Sequence, residues 1–275
     1  MIKEIVFCDI DGTLKNSKGI ITERNKQAIS KLENINVAFV LCSGRTRQHV
    51  EKVALEVNAS QYIISSNGSD VYDFKNKVEI LKNIINPKLA IKLYNYCNQP
   101  STRILIKCGA NNYINKPFEA EVEAKIISTN AEIEKIAHDG ILQINVMCND
   151  LNTIKKCIAK TNKYDELAIP NKSKSLYDSA LKQSSGREYY FDITNKTCSK
   201  GDGIQKLVDY LNLSLDKTIS IGDSGNDITM FDKSQIDVAV GNSITDLKNV
   251  ADVVTASNNE SGVAAFLEYH YNLKN

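Results

Sequence analysis

Four apolar runs in this chain break off abruptly in small and charged residues, and that pattern limits the folds open to it. "IVFC" runs into Asp9-Ile10-Asp11-Gly12-Thr13, and "VAFVLC" into Ser43-Gly44-Arg45. "YII" runs into Ser65-Ser66-Asn67-Gly68, and "TISIG" into Asp223-Ser224-Gly225-Asn226-Asp227. Apolar strands without polar alternation are covered on both faces, the habit of parallel sheets. The covers are legible between them. "TERNKQAISKLENI" reads as an amphipathic helix capped by Thr22, with Ala28, Ile29 and Leu32 on one stripe, and "TRQHVEKVALEV" reads as a second. Strand and helix in turn predict βαβ units and a doubly wound α/β sheet.

From about residue 70 the pattern changes. "DVYD" and "KVEIL" flank Lys75-Asn76-Lys77 as a hairpin would, and a helix is expected over "PKLAIKLYNYCN" with Pro87 in its first turn. Strands follow at "TRILIKCG", "NNYIN", "ILQINVMC" and "YYFDIT", with helices expected at "EAEVEAKIIS" and "DLNTIKKCIAKT". Strands broken by polar turns and mixed with helices predict an α+β unit, largely antiparallel. From about residue 198 the first pattern returns, with "SKGDGIQKLVDYLN", "TISIGD", "GNDITMFDKS" and "DVAVGNS". The expected organisation is therefore one domain made of residues 1–81 and 191–275, with a second domain, 82–190, inserted.

Composition removes several classes of function. The 275 residues carry a formal net charge of +1 and show no basic stripe, so neither nucleic acid nor an acidic membrane is an expected partner. The first ten residues, with Lys3 and Glu4, predict no secretory leader, and no apolar stretch approaches a membrane span. Seven cysteines without C-x-x-C spacing, several inside apolar runs, fit a reduced cytoplasmic protein and not a disulfide scaffold. Near-neutral charge leaves the oligomeric state open.

In an open parallel sheet, chemistry gathers at the carboxyl ends of the strands. Asp9, Asp11, Ser43, Gly44, Asn226, Asp223 and Asp227 all fall there, and Lys200 opens the helix before the last of these strands. Any one of them alone could be a turn residue or helix cap; together, in order, they predict one crevice. Crowded carboxylates repel unless a cation joins them, and oxygen-rich, histidine-poor surroundings select Mg²⁺. A lysine and a hydroxyl beside such a cation form a site for a phosphoryl group. Arg45 and Asn67 could serve structure or function equally.

At these residues the sequence resembles the haloacid dehalogenase-like hydrolases. Asp9-x-Asp11-Gly12-Thr13-Leu14 resembles the first family motif, Ser43-Gly44-Arg45 the second, Ser199-Lys200-Gly201 the third and Gly222-Asp223-Ser224-Gly225-Asn226-Asp227 the fourth. Ser43 stands where the second motif more often has threonine, with the hydroxyl kept. The inserted segment is similar to the type IIB cap of the Cof-like sugar phosphatases. The resemblance implies Asp9 as nucleophile and Asp11 as acid and then base. It implies Mg²⁺ held by Asp9, the main-chain carbonyl of Asp11 and Asp223, with Asp227 supporting them. Ser43, Lys200, Asn226 and the main-chain N–H groups of Ile10 and Gly44 would hold the phosphoryl oxygens of a small phosphorylated metabolite. Asp11 argues for a phosphatase or a phosphomutase over the family's transport ATPases and dehalogenases, which lack that acid. A receiver-like phosphate-binding module is the alternative from another class. Tyr94, Tyr96, Arg103, Tyr113 and Arg187 of the insertion could touch a sugar or simply pack.

Overall fold

The computed structural model describes residues 2–117, 123–170 and 189–273. The chain divides into two compact units, Met1–Leu81 with Ser199–Asn275, and Lys82–Cys198.

The first unit begins with β1 (Glu4–Cys8), α1 (Glu23–Leu32), β2 (Val37–Cys42), α2 (Arg47–Glu56), β3 (Tyr62–Ser65), β4 (Asp70–Asp73) and β5 (Val78–Lys82). The second unit holds α3 (Pro87–Cys97), β6 (Thr102–Cys108), β7 (Asn111–Ile114), β8 (Lys125–Ile126), α4 (Asn130–Gly140), β9 (Gln143–Cys148), α5 (Leu151–Thr161), β10 (Leu167–Ala168) and β11 (Tyr189–Asn195). The first unit resumes with α6 (Lys200–Tyr210), β12 (Thr218–Gly222), α7 (Ile228–Phe231), β13 (Ile236–Ala239), α8 (Thr245–Val250), β14 (Val253–Val254) and α9 (Gly262–His270).

The sheet of the first unit has the order β14-β13-β12-β1-β2-β3-β4-β5. From β14 to β3 every pairing is parallel, and β4 turns back antiparallel on β3. The last four residues of β1 are fully buried because the two faces of the strand feed two cores. Val6 and Cys8 pack with α1, α2 and α9, whereas Ile5 and Phe7 pack with α6, α7 and α8. Burying such side chains contributes about 1.5–3 kcal/mol each, which is why the strand is apolar throughout. The cap expected at Thr22 is formed: its side chain accepts from the Asn25 N–H. The expected hairpin is present as β4 and β5, neighbours at the edge of the sheet.

The second unit is a six-stranded sheet, β10-β11-β9-β6-β7-β8, antiparallel except for the β7–β8 pair. Alternate residues of three strands line one core, Ile104 and Ile106 of β6, Ile144 and Val146 of β9, and Phe191 and Ile193 of β11. Helices α3, α4 and α5 supply the rest, through Leu93, Ile133, Ile136, Ile154 and others. Two expectations need correction. The helix expected over 119–128 is absent from its described part, where β-branched Ile126 extends a strand paired with Ile114, and residues 118–122 lie outside the described residues. The return to the first unit comes at Ser199 and not at 191, because β11 runs on to Asn195 and pairs with β9 and β10. Tyr94 is buried in the core of this unit, so it packs; Arg187 lies outside the described residues.

One carboxyl in the first unit is poorly placed for a charge. Asp237, early in β13, has a buried Oδ1 with no hydrogen-bond partner. Burial pushes this carboxyl up to about 7, with Asp252 and Asp232 adding to the effect and Ser234 opposing it. Its folded pKa thus lies above the unfolded value of about 3.9, so between about pH 4 and 7 the folded state binds more protons and stability falls as pH rises. Asp237→Asn is expected to stabilise the protein by about 1–2 kcal/mol at pH 8, allowing for solvent screening of a half-buried group, and by almost nothing at pH 4. Urea unfolding of parent and variant at the two pH values checks this; an equal gain at both would contradict it.

Candidate active site

The first acid of the site is delivered by the sheet itself. Beyond β1 the ladder runs one step further, the Asp9 N–H donating to the Ile221 carbonyl at 3.0 Å. Asp9 is thereby fixed at the carboxyl edge between β2 and β12 and is only 5% exposed. The chain then turns through Gly12 at φ +92°, where a Cβ would stand 2.6 Å from Oδ2 of Asp223. Only glycine lets the backbone pass so close to that carboxylate. Thr13 Oγ1 donates to Asp223 Oδ1 at 3.0 Å, fastening the N-terminal loop to the end of β12.

Three carboxylates meet here. Oxygens of Asp9, Asp223 and Asp227 lie within 4.8 Å of one another, all on buried residues. Lys200, 1% exposed at the start of α6, reaches between two of them, with Nζ 2.5 Å from Asp9 Oδ1 and 2.6 Å from Asp227 Oδ1. Burial alone would strip the proton from Lys200, but Asp227 and Asp9 raise its pKa well above the ordinary value and keep it an ammonium. Burial pushes the Asp9 carboxyl well up; Lys200 opposes this, and Asp227 and Asp223 reinforce it. One ammonium thus faces three buried carboxylates, and a hard cation is the partner that chemistry calls for. The all-oxygen donor set fits Mg²⁺.

The carboxylates are not equivalent. Asp227 accepts from the main-chain N–H groups of Asp223 and Ser224 through Oδ2, at 2.9 Å each, and from Lys200 through Oδ1. Both of its oxygens are engaged, so it orients Asp223 and Lys200. Asp9 gives only Oδ1 to Lys200; among the described residues Oδ2 takes no hydrogen bond.

The loops after β2 and β3 are sewn together. Asn67 N–H donates to the Ser43 carbonyl at 3.1 Å, and Ser66 N–H to the Arg45 carbonyl at 3.0 Å. Ser66, Asn67 and Gly68 all have positive φ, and a Cβ on Gly68 would lie 1.8 Å from the Ser199 carbonyl oxygen. The strained loop brings Asn67 against Gly44 and across to the last motif, where Asn226 Nδ2 donates to Asn67 Oδ1 at 3.0 Å. Ser224 Oγ donates to Asn226 Oδ1 at 2.7 Å, so the Asn226 amide is held from both ends.

Asp11 stands apart from this cluster. Its side chain is 41% exposed and is forked by Arg45, with Nε 2.7 Å from Oδ2 and a terminal nitrogen 3.1 Å from Oδ1. Burial would raise this carboxyl, but Arg45, then Lys15 and His49, hold it below the usual range. The structure thus brings together Asp9, Lys200, Asp223 and Asp227, and links Ser43, Gly44 and Asn226 through Asn67. The sequence placed Thr13 in the first motif without a role and left Asn67 undecided; their signals were a hydroxyl after the acid pair and an Asn-Gly step after a buried strand.

A family profile described as haloacid dehalogenase-like hydrolase matches residues 6–267. Phosphatase YwpJ of Bacillus subtilis (strain 168) is 24% identical, over 97% of this chain and 99% of that protein. The 5-amino-6-(5-phospho-D-ribitylamino)uracil phosphatase YwtE of the same organism is also 24% identical, over 96% of both. Among solved structures, the subclass IIB sugar phosphatase BT4131 superposes with a TM-score of 0.78 at 20% identity, over 98% of this chain and 99% of that one. No helix among the described residues is long and apolar enough to cross a membrane. With its profile spanning nearly the whole chain and its sheet carrying an inserted α+β unit, the protein belongs to the haloacid dehalogenase-like hydrolase family, in its Cof-like branch.

Proposed function

We propose that the chain is a Mg²⁺-dependent phosphatase that hydrolyses a small phosphorylated metabolite, a sugar phosphate first of all, through an aspartyl-phosphate. The observation that carries this reading is Lys200 held between Asp9 and Asp227 with Asp223 beside them. A carboxylate needs no base in order to attack, so Asp9 forms the new bond to phosphorus as the bond to the leaving oxygen breaks. Asp11 gives its proton to that oxygen, then takes one from the water that releases phosphate and restores Asp9. To do so it must leave the Arg45 fork, which favours its ionised form.

Ser43, Lys200, Asn226 and the main-chain N–H groups of Ile10 and Gly44 orient the phosphoryl oxygens. Asp9, Asp223 and the Asp11 carbonyl would hold the cation, with Asp227 steadying Asp223. Bound there, Mg²⁺ supplies positive charge to the carboxylates and to the phosphoryl group. The description of BT4131 as a sugar phosphatase, and of YwtE as a phosphatase of a phosphorylated ribitylaminouracil, supports that class of substrate. Seven cysteines that form no disulfide among the described residues suit a reducing cytoplasm.

Purified protein is expected to release phosphate from p-nitrophenyl phosphate with Mg²⁺, to lose at least about 100-fold of that rate in EDTA, and to regain it when Mg²⁺ is restored. No release, or release indifferent to EDTA, overturns the reading. Conversion of mannose 1-phosphate to the 6-phosphate faster than to free phosphate would replace hydrolase by mutase.

A further inference from the structure

The loop after β1 and the first turn of α2 build a basic corner that hydrolysis of a neutral-alcohol ester does not use. Lys15 Nζ lies 3.1 Å from Nε2 of His49, two groups that ordinarily serve as donors. An ammonium can only donate, so His49 accepts from it. Lys15 makes no other side-chain hydrogen bond among the described residues, which leaves two of its three Nζ–H donors for a ligand. Arg45 stands just before the helix, whose N-cap is Thr46 and whose first turn carries no acidic residue. The positive end of α2 therefore adds to the side-chain charges. Arg45, Lys15 and His49 all bear on one carboxylate, that of Asp11.

We propose that Lys15, positioned by His49, and Arg45 bind a second anionic group carried on the leaving alcohol, so that the preferred substrates are phosphate esters of acidic or doubly phosphorylated small molecules. This inference rests on the phosphatase reading above and specifies its substrate. Its geometry follows from Asp11: the leaving oxygen must meet the Asp11 carboxyl, and Arg45 holds that carboxyl at 2.7 Å. An anion on the same corner sits only a few bonds from the leaving oxygen. A neutral sugar leaves the Lys15 ammonium with His49 as its one side-chain hydrogen-bond partner among the described residues, whereas a carboxylate or phosphate gains a short, charge-assisted hydrogen bond from it. The same anion would compete with Asp11 for Arg45 and free the acid for its proton transfer.

Two substrate pairs test it, each alike but for the second charge: 3-phosphoglycerate against sn-glycerol 3-phosphate, and fructose 1,6-bisphosphate against fructose 1-phosphate. The kcat/KM of the member whose leaving alcohol carries the added anionic group is expected to be at least about tenfold higher in one pair, the first if the corner takes a carboxylate and the second if it takes a phosphate. Lys15→Gln should bring that preference to within about twofold, Lys15→Arg should keep most of it, and raising NaCl from about 0.05 to about 0.5 M should shrink it. Both ratios near or below one, with p-nitrophenyl phosphate still hydrolysed, overturn the inference alone. So does a preference that survives Lys15→Gln. Absence of any phosphate release overturns the phosphatase reading and this inference together.

Discussion

Asp9→Asn is expected to reduce phosphate release by at least about 10⁴-fold while the fold persists, because the amide cannot form the phosphorylated intermediate. The substitution keeps the side chain's shape and an oxygen to accept from Lys200, 2.5 Å away. It also removes one of three crowded charges, and burial already disfavours charge on Asp9. In EDTA the variant should therefore melt at or above the parent's temperature. With Mg²⁺ the order should reverse, since a ligand has been lost and ligand-linked stabilisation with it. Melting curves with and without Mg²⁺, run beside the activity assay, separate a dead enzyme from an unfolded one. Full activity in Asp9→Asn would end the aspartyl-phosphate mechanism.

Lys200→Met is the second large effect and falls on stability as well as rate. The ammonium is 1% exposed and is the cation the carboxylates of Asp9 and Asp227 both touch. Removing one member of a buried ionic cluster destabilises by about 3–5 kcal/mol, because the remaining charges lose their compensation. For a domain of this size that is a fall of about 10 °C in melting temperature in EDTA. Mg²⁺ should return part of it by supplying positive charge to the same carboxylates. The phosphoryl group loses a buried donor too, so kcat should fall by about 10²–10³-fold. Lys200→Arg should not rescue either property, since a planar guanidinium does not fit where a compact ammonium is enclosed. A melting temperature for Lys200→Met equal to the parent's in EDTA would refute this electrostatic account.

Much of this was legible in the chain, and for local reasons. Continuous apolar runs ending in Asp9, Ser43 and Asp223 announce buried parallel strands and the edge where chemistry sits, and those residues are at that edge. Thr22 announces a helix start because the capping bond spans three residues and needs nothing from elsewhere. What escaped depends on partners far along the chain. Lys125–Ile126 is a strand only because Tyr113 and Ile114 receive it. Tyr189–Asn195 belongs with the second unit because β9 pairs along its length. The fork between Arg45 and Asp11, 34 residues apart, follows from where two loops end in space, which no period in the sequence encodes. Asp227 was expected as a support for the cation site; what could not be read was the means, a carboxylate whose two oxygens serve two main-chain donors and a lysine.

The central place of β1 in its sheet carries a consequence for biosynthesis. Its neighbours are β2, made almost at once, and β12, which begins at Thr218. During translation the first strand keeps an open flank until more than two hundred residues have followed it, and open flanks invite pairing with other chains. Lys200 and Asp223 arrive with that same late segment, so a nascent or truncated chain ending before it would be both prone to self-association and chemically inert.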